Sequence, residues 1–300
     1  MTENDSPLSV RSLTKSFPSF LLDDISFELE PGTITGLIGR NGAGKTTALN
    51  CIMGFTHPDS GSVRVFGDIP AQNAARVKGC IGFISAGMTF YTSRKLGLIT
   101  SVTRTFYPEW DDRAYKGYMS RFGLDEEKTP ATLSNGMKLK YALTLALSHG
   151  ARLLILDEPT SGLDPVSRDE FIEILLSERD LGITVLFSTH ITSDLEKCAD
   201  RILFLQNGHL TADRPLNVFA DDYRMADIRN EIPPAIRELN LGMCRVRDGW
   251  TVLIPTADSH SLGIPVRKPT LDEIITHLDR ESTTFSSRGP SSGLLEENKR

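Results

Sequence analysis

Short, fully apolar runs alternate along the chain with longer stretches in which apolar residues recur every three or four positions. Such runs are typical of strands covered by helices on both faces, as in a parallel sheet with crossover helices. The longer stretches predict helices, one beginning at about Lys45, one covering most of residues 95–122 and one at 135–147. We therefore predict an α/β core that extends to about residue 210. The predicted strands are 8–10, 25–29, 33–38, 62–66, 81–84, 153–156, 184–187 and 202–205.

Residues 211–280 carry weaker patterns that predict a small α/β accessory domain. Alternation over 243–255 indicates a β-hairpin, with Asp248 and Gly249 suited to a type I′ turn, and a short helix should follow. The final stretch, 281–300, is polar and rich in Ser and Gly. Such a composition predicts a disordered tail.

Composition and charge narrow the class of protein. With 300 residues, 39% of them hydrophobic, the chain can bury a full core. A net charge of −6 with both signs scattered provides no basic stripe, so we expect no nucleic-acid partner. The four cysteines form no C-x-x-C pair and indicate buried thiols in a reducing compartment. We expect a cytoplasmic chain, because it shows neither a signal-peptide pattern nor an apolar run of about 18 residues.

The segment GRNGAGKTT follows a predicted strand and opens a predicted helix. In that context G-x-x-x-x-G-K-[ST] is a phosphate-binding loop, whose backbone N–H groups surround phosphate oxygens at the positive end of a helix. Lys45 should reach the β and γ phosphates, and the Thr46 hydroxyl should bind Mg²⁺. The expected contact residues are Gly39, Asn41, Gly42, Ala43, Gly44, Lys45, Thr46 and Thr47.

Two further strands deliver polar side chains to the carboxyl edge of the predicted sheet, where open α/β folds bind ligands. LLILDEP ends in Asp157, which can hold Mg²⁺, and in Glu158, which can orient the attacking water or accept its proton. Such an acidic pair alone could be a solvated edge or a helix cap, but together with Lys45 it indicates a nucleotide site. His190, in FSTH, should reach the same edge and contact the γ-phosphate or the water.

LSNGMKLK contains Ser134 at the start of the predicted helix 135–147. One interpretation is an ordinary N-cap. The other is a second anion site, formed by Ser134 with the N–H groups of Asn135 and Gly136. Because the glycine-rich loop already binds this chain's own nucleotide, a second phosphate-binding turn indicates a phosphate carried by another chain.

These motifs, in this order, resemble the nucleotide-binding subunit of ATP-binding-cassette (ABC) transporters over roughly residues 7–210. GRNGAGKTT matches Walker A, LSNGM the signature, LLILDEP Walker B, SGLD the D-loop and STH the switch histidine. The resemblance implies a P-loop NTPase fold with an antiparallel β subdomain and a helical subdomain at about 87–150. It also implies ATP and Mg²⁺ as ligands and ATP hydrolysis as the activity.

The same resemblance implies a head-to-tail dimer, in which each ATP lies between one chain's Walker A and the other chain's signature. Ser134, Asn135, Gly136 and Met137 would then bind the partner's γ-phosphate, and Asp164 of the D-loop would lie at the same interface. Phe17 is implied as the aromatic side chain that stacks on adenine, although a core phenylalanine is the alternative.

The segments FYPEWDD and FSTHITSDLEKCADRI resemble a narrower branch, the ATPases of bacterial bacitracin-resistance and lantibiotic exporters. This implies a transmembrane permease on a separate chain, whose coupling helix docks near residues 89–122, and a location at the inner face of the cell membrane. The alternative is a soluble ABC protein that acts on DNA or the ribosome. Only one cassette is present, without room for a long coiled-coil insertion between Lys45 and Leu133, which favours transport. The cargo, and the choice between a homodimer and a heterodimer, stay open.

One position departs from the family pattern. A glutamine that contacts Mg²⁺ and the attacking water normally follows the strand that here reads IGFIS, and alignment places Ala86 there. Either an ordered water fills the gap or a shifted loop brings in another polar residue.

We therefore predict that Ala86→Gln changes coupling to the permease more than chemistry. Basal ATP turnover should change by less than about tenfold, or about 1.4 kcal/mol, while stimulation by the permease should shift more. Assays with and without the permease decide this. A large rise in basal turnover with unchanged stimulation would contradict it.

Overall fold

The computed structural model describes residues 6–85, 90–229, 231–259 and 263–286. The chain divides into two compact units, Met1–Leu216 and Asn217–Arg300. Among the described residues, no helix is long and apolar enough to cross a membrane.

Strands and helices alternate through the first unit, as the sequence predicts. Its strands are β1 (Leu8–Phe17), β2 (Phe20–Glu28), β3 (Ile34–Ile38), β4 (Ser60–Val65), β5 (Ile81–Ser85), β6 (Leu153–Asp157), β7 (Thr184–Thr189), β8 (Arg201–Gln206) and β9 (His209–Pro215). Its helices are α1 (Lys45–Ile52), α2 (Ala74–Cys80), α3 (Leu96–Thr103), α4 (Asp112–Arg121), α5 (Asn135–Ser148), α6 (Pro165–Asp180) and α7 (Thr192–Cys198), and α8 (Leu216–Asp221) follows.

A six-stranded sheet with the order β5-β6-β7-β3-β8-β9 forms the centre of this unit. The five strands from β5 to β8 are parallel, and β9 pairs with β8 in the antiparallel sense. Every residue of β3, β6 and β7 is buried, which explains their continuous apolar runs. The register places Asp157 beside both Ser85 and Ser188, so three strands end at the same edge.

A smaller antiparallel sheet with the order β2-β1-β4 covers one side of this centre. β1 is longer than the predicted strand 8–10 because its pairing continues past an irregularity next to Ser12, which has a φ of 46°. One hydrophobic cluster joins the two sheets through α1 and includes Val10, Ile25, Leu49 and Leu203. The glycine-rich loop before α1 is therefore attached to a continuous core.

The helical part of the first unit, α3 to α5, has its own core around Leu96, Met119 and Tyr141. A buried hydroxyl network lies within it. Tyr141 donates to the Leu96 carbonyl at 2.9 Å, and its hydroxyl lies 2.9 Å from Thr100 Oγ1, which also contacts Tyr115. Burial raises the pKa of Tyr115 to about 12 and also raises that of Tyr141, so both phenols stay protonated at neutral pH.

The second unit is a four-stranded antiparallel sheet with the order β11-β12-β10-β13. Its strands are β10 (Tyr223–Ile228), β11 (Gly242–Val246), β12 (Gly249–Pro255) and β13 (Val266–Arg267), and its helices are α9 (Pro234–Glu238), α10 (Thr256–Ser259) and α11 (Leu271–Ser286). α11 continues six residues past 280, where the sequence predicted a disordered tail to begin, and residues 287–300 lie outside the described residues.

The predicted β11–β12 hairpin is present, but its predicted turn is one residue out of place. Val246 pairs with Gly249, so Arg247 and Asp248 form the loop, and neither has the positive φ of a type I′ turn. Gly249 instead begins β12, where a Cβ would lie 2.0 Å from the Ile228 carbonyl oxygen. Close approach of the neighbouring strand therefore explains this glycine.

The hydroxyl network predicts a stability effect. Tyr141→Phe removes the donor to Leu96 and leaves buried polar atoms without a partner, so the free energy of unfolding should fall by about 1–3 kcal/mol. Urea denaturation should show a lower midpoint with an unchanged slope. The control is Tyr91→Phe, since Tyr91 is 79% exposed. Equal shifts in both variants would contradict the role of the network.

Candidate functional site

The loop before α1 closes around the Lys45 side chain. Its ammonium donates to the Gly39 carbonyl at 2.7 Å and lies 3.3 Å from that of Arg40, and the residue is only 6% exposed. A Cβ at Gly39 would lie 2.2 Å from the Leu205 carbonyl oxygen, and one at Gly44 2.7 Å from the Phe20 ring. These two glycines let the loop pack closely while its N–H groups remain at the start of α1.

Asp157 connects three elements at the edge of the sheet. Its carboxylate accepts a hydrogen bond from Thr46 Oγ1 at 3.1 Å and another from Ser188 Oγ at 2.5 Å. The residue is 8% exposed, so these donors replace most of its contact with water. The carboxylate thus ties the ends of β6 and β7 to the first turn of α1.

Glu158 lies between Lys45 and His190. Its Oε1 is 3.6 Å from Lys45 Nζ, and its Oε2 accepts from the His190 backbone N–H at 3.2 Å and lies 2.6 Å from His190 Nδ1. Glu158 has a φ of 53°, a conformation that non-glycine residues rarely adopt, while its N–H donates to the Ser188 carbonyl. This conformation turns the carboxylate away from the direction of Asp157 and next to the histidine. Such a departure from ordinary backbone geometry often marks a functional position.

Two features of the site were not predicted from the sequence. One is Ser188, and the other is a cluster formed by Thr160, Arg168 and buried Asp194. Ser188 could have been found from register, because parallel pairing of β6 and β7 places it beside Asp157. Behind the acidic pair, Thr160 donates to buried Asp194 at 2.7 Å, and Arg168 lies 3.8 Å away. Burial raises the pKa of Asp194, partly offset by the Thr160 hydrogen bond and the Arg168 charge. This group joins the segment after β6 to α6 and α7.

The LSNGM turn forms the N-terminus of α5. Ser134 caps this helix by accepting from the Met137 N–H at 3.2 Å, so the N-cap interpretation is structurally satisfied. Ser134 and Asn135 are nevertheless exposed. A Cβ at Gly136 would approach Ser167 Oγ to 3.2 Å, which places the turn beside the start of α6. Within the described part of the chain, no hydrogen bond or ion pair joins this turn to the Lys45 site.

Asp164 caps α6 on the same side. It accepts from the Ser167 N–H at 3.0 Å and from Ser167 Oγ at 2.6 Å, and these hydrogen bonds hold its pKa below the ordinary value. Asp164 therefore stays ionised at neutral pH beside the LSNGM turn. Both caps lie at the surface, where another molecule can reach them.

Phe17 is 42% exposed at the β1–β2 hairpin, so its interpretation as a core phenylalanine is wrong. Lys15 lies 5.7 Å from the centre of the ring and is paired with Asp59. An aromatic side chain exposed to this extent can stack on a flat ligand. Ala86, which stands where the family pattern has a glutamine, lies outside the described residues.

Comparison with known proteins decides the family. The sequence model of the ABC transporter family matches residues 22–161. The ABC transporter ATP-binding protein YtrB of Bacillus subtilis is 31% identical over 256 residues, which cover 84% of this chain and 87% of that protein. The chain belongs to the ABC transporter family. The bacitracin transport ATP-binding protein BcrA of Bacillus licheniformis is 32% identical over 70% of each chain. A solved ATP-binding subunit of an ABC transporter matches with a TM-score of 0.65 at 27% identity, over 71% of this chain and 91% of that one.

The predicted family, the predicted fold class and the predicted ATPase activity are thereby confirmed. This ABC protein is an ATP-binding subunit. The structure brings Lys45, Thr46, Asp157, Glu158 and His190 together at one sheet edge. It leaves Phe17, Ser134 and Asp164 on exposed surfaces.

The position of Glu158 predicts the effect of removing its charge. In Glu158→Gln, ATP should still bind, because the glycine-rich loop is unchanged, but turnover should fall by ~10²–10⁴-fold with the loss of the proton acceptor. Phosphate release measures turnover, and gel filtration with ATP and Mg²⁺ should show accumulated dimers. Exposed Glu173→Gln is the matched control. Persistent turnover with only monomer on the column would contradict the role of Glu158.

Proposed function

We propose that this chain is the ATP-hydrolysing motor of an exporter, located at the inner face of the cell membrane and acting on a separate permease. The observation that supports it best is the convergence of Lys45, Asp157, Glu158 and His190 at the carboxyl edge of a parallel sheet. Together these residues provide a cation that can bind phosphates and oxygen atoms that can bind a metal ion. They also provide a hydrogen-bonded carboxylate that can orient a water molecule.

ATP would bind with its phosphates in the loop 39–47, on the N–H groups at the start of α1 and on Lys45. Mg²⁺ would be held by Thr46 Oγ1 and Asp157 Oδ2, which lie 3.1 Å apart. One of these two oxygens belongs to a hydroxyl group and the other to a carboxylate. This fits Mg²⁺, which usually retains water and binds substrate phosphates beside one or two carboxylates. The ion would neutralise charge that develops on the phosphates.

Glu158 would accept the proton of the attacking water. Its Oε2 is held by both the backbone N–H and the ring of His190, so the carboxylate is oriented rather than free to rotate. The ring of His190 is half-exposed and can also reach a γ-phosphate. Orientation by fixed donors is the feature that makes a carboxylate an effective base.

A complete site would need a second ATP-binding subunit. The Ser134–Met137 turn offers N–H groups at a helix N-terminus, and no hydrogen bond or ion pair among the described residues joins it to the Lys45 site, which supports a head-to-tail dimer with shared ATP. Asp164 would lie at that interface, and Phe17 would stack on adenine. The partner is either a second copy or a related chain.

The permease would dock in a groove between the sheet and the helical part. This groove has a volume of about 280 Å³ and is lined mainly by apolar and aromatic side chains from β5, α5 and the segment after α3. On α3 and in the turn that follows it, Leu98, Val102 and Phe106 recur at four-residue spacing and are 50%, 53% and 74% exposed. Amphipathic helices commonly bind such grooves through their apolar face. A relative named as the Nod factor export ATP-binding protein I, from Burkholderia thailandensis, supports export as the direction.

The unit Asn217–Arg300 would serve as an accessory domain to the ATPase domain at about 1–210.

Ser134→Arg tests the shared site. A bulky cation at this turn should leave ATP affinity of the isolated chain within about twofold, because Lys45 and its loop are untouched, but it should abolish hydrolysis. Affinity is measured by titration and hydrolysis by phosphate release, with the variant Ser120→Arg on α4 as an exposed control. Equal loss of ATP affinity would show that the turn binds the same chain's nucleotide.

Membrane fractionation tests the transport assignment. The tagged chain should sediment with membranes and copurify with a multi-span protein that stimulates its ATPase. A ribosome-bound or DNA-bound pool without such a protein would overturn transport in favour of a regulatory ABC protein.

A further inference from the structure

A buried carboxylate lies behind the contact between Glu158 and His190. Asp194 belongs to α7, four residues after His190, and is 1% exposed. Its Oδ2 accepts a hydrogen bond from Thr160 Oγ1 at 2.7 Å, and Thr160 is fully buried two residues after Glu158. A carboxylate is costly to bury unless the protein supplies such donors. Separating Thr160 from Asp194 is therefore unfavourable.

The hydrogen bond of Thr160 joins the two segments that carry Glu158 and His190. The same segments are linked at two further points. The Glu158 N–H donates to the Ser188 carbonyl at 2.9 Å, and Glu158 Oε2 accepts from the His190 N–H at 3.2 Å. Pro159, between Glu158 and Thr160, has no N–H to donate. The hydroxyl of Thr160 therefore supplies a link that the N–H of another residue type would have to supply at Pro159.

Glu158 needs to be held, because its backbone is in an unusual conformation. Its φ of 53° is unfavourable for a non-glycine residue, and such a conformation persists only where neighbouring contacts determine it. A hydrogen bond to a buried group two residues later is a contact of this kind. It fixes the direction that the chain takes after Glu158.

Arg168 on α6 holds the same segment at its other end. Its Nε lies 3.8 Å from Asp194 Oδ2, and its Nη2 donates to the Leu163 carbonyl at 3.4 Å. Leu163 directly precedes Asp164, the cap of α6. Asp194 and Arg168 together therefore attach both ends of residues 160–163 to the helices α6 and α7.

We propose that Asp194 is a positioning residue for ATP hydrolysis, which acts through Thr160 to hold the Glu158 carboxylate beside His190. This rests on the proposed role of Glu158 as the proton acceptor. Asp194 is too buried to contact ATP or the attacking water itself. Without its hydrogen bond to Thr160, the chain after Glu158 is free to relax towards an ordinary backbone conformation, which moves the carboxylate away from the histidine.

Removal of the Thr160 hydroxyl tests this role. Thr160→Val, a change of similar volume, should lower kcat by about 10–100-fold, because small displacements of a reacting group have effects of this size. ATP affinity should stay within about twofold of wild type, since Lys45 and its loop are untouched. Thr160→Ser keeps the hydroxyl and should retain kcat within about threefold. Phosphate release measures kcat, and titration measures affinity. Wild-type kcat in Thr160→Val would overturn the inference.

Variants of Asp194 provide a second measurement of the same hydrogen bond. Asp194→Asn keeps an oxygen that can accept from Thr160, so kcat should stay within about threefold of wild type. Asp194→Ala removes the acceptor and should lower kcat as much as Thr160→Val does. Equal losses in Asp194→Asn and Asp194→Ala would assign the effect to charge and contradict the role of the hydrogen bond. Thermal unfolding of each purified variant shows which are folded, and either Thr160→Val or Asp194→Ala is sufficient for the test.

Thr184→Val is the matched control. Thr184 is 2% exposed at the opposite end of β7, where its Oγ1 accepts from the Gly32 N–H at 3.0 Å. The change should lower the midpoint of thermal unfolding and leave kcat within about twofold, because the catalytic edge lies at the far end of the strand. If kcat decreases equally in Thr184→Val and Thr160→Val, the loss reflects general stability, and the positioning role is wrong.

The Glu158→Gln background separates this inference from the proposed function. Unchanged turnover in Glu158→Gln alone would overturn the proposed role of Glu158. If turnover decreases there as expected, adding Thr160→Val should have no further effect in single-turnover assays, because both changes act on one carboxylate. A further loss of about tenfold in this background would overturn only the positioning role.

Discussion

The hydrogen bonds received by Asp157 are the constraint on which the rest of the site depends. A carboxylate that is 8% exposed must be satisfied by the protein, and its two donors come from the first turn of α1 and from β7. These donors fix the glycine-rich loop relative to the sheet. They also determine where the next residue, Glu158, leaves the strand. The groups that would hold the phosphates and the attacking water therefore lie at the ends of rigid strands and helices.

The charged side chains of the site interact with one another within this single chain. Buried Lys45 is surrounded by two loop carbonyls and the Glu158 carboxylate, and Glu158 is in turn held by His190. A buried ammonium group needs such partners, since desolvation without them is unfavourable. Phosphate oxygens would compete with these partners for Lys45. Nucleotide binding would therefore alter the environment of Glu158, which connects occupancy of the loop to the carboxylate that we propose as the base.

Much of the catalytic edge could be predicted from the sequence, because local patterns specify it. A glycine-rich loop between a strand and a helix, and an acidic pair after an apolar strand, place Lys45 and Asp157 without knowledge of the tertiary structure. Ser188 could not be found this way, since its role arises from the register between two strands that are distant in sequence. The turn at Arg247 was missed because the glycine at 249 serves strand packing and not a positive φ in the loop.

A structure of the Glu158→Gln chain with ATP and Mg²⁺ would measure directly whether the site is shared between subunits. Ser134 Oγ should lie at hydrogen-bond distance, about 3 Å, from a γ-phosphate whose oxygens contact Lys45 of the facing subunit. ATP enclosed by a single chain, with Ser134 still bound only to the Met137 N–H and far from any phosphate, would contradict a site built from two subunits.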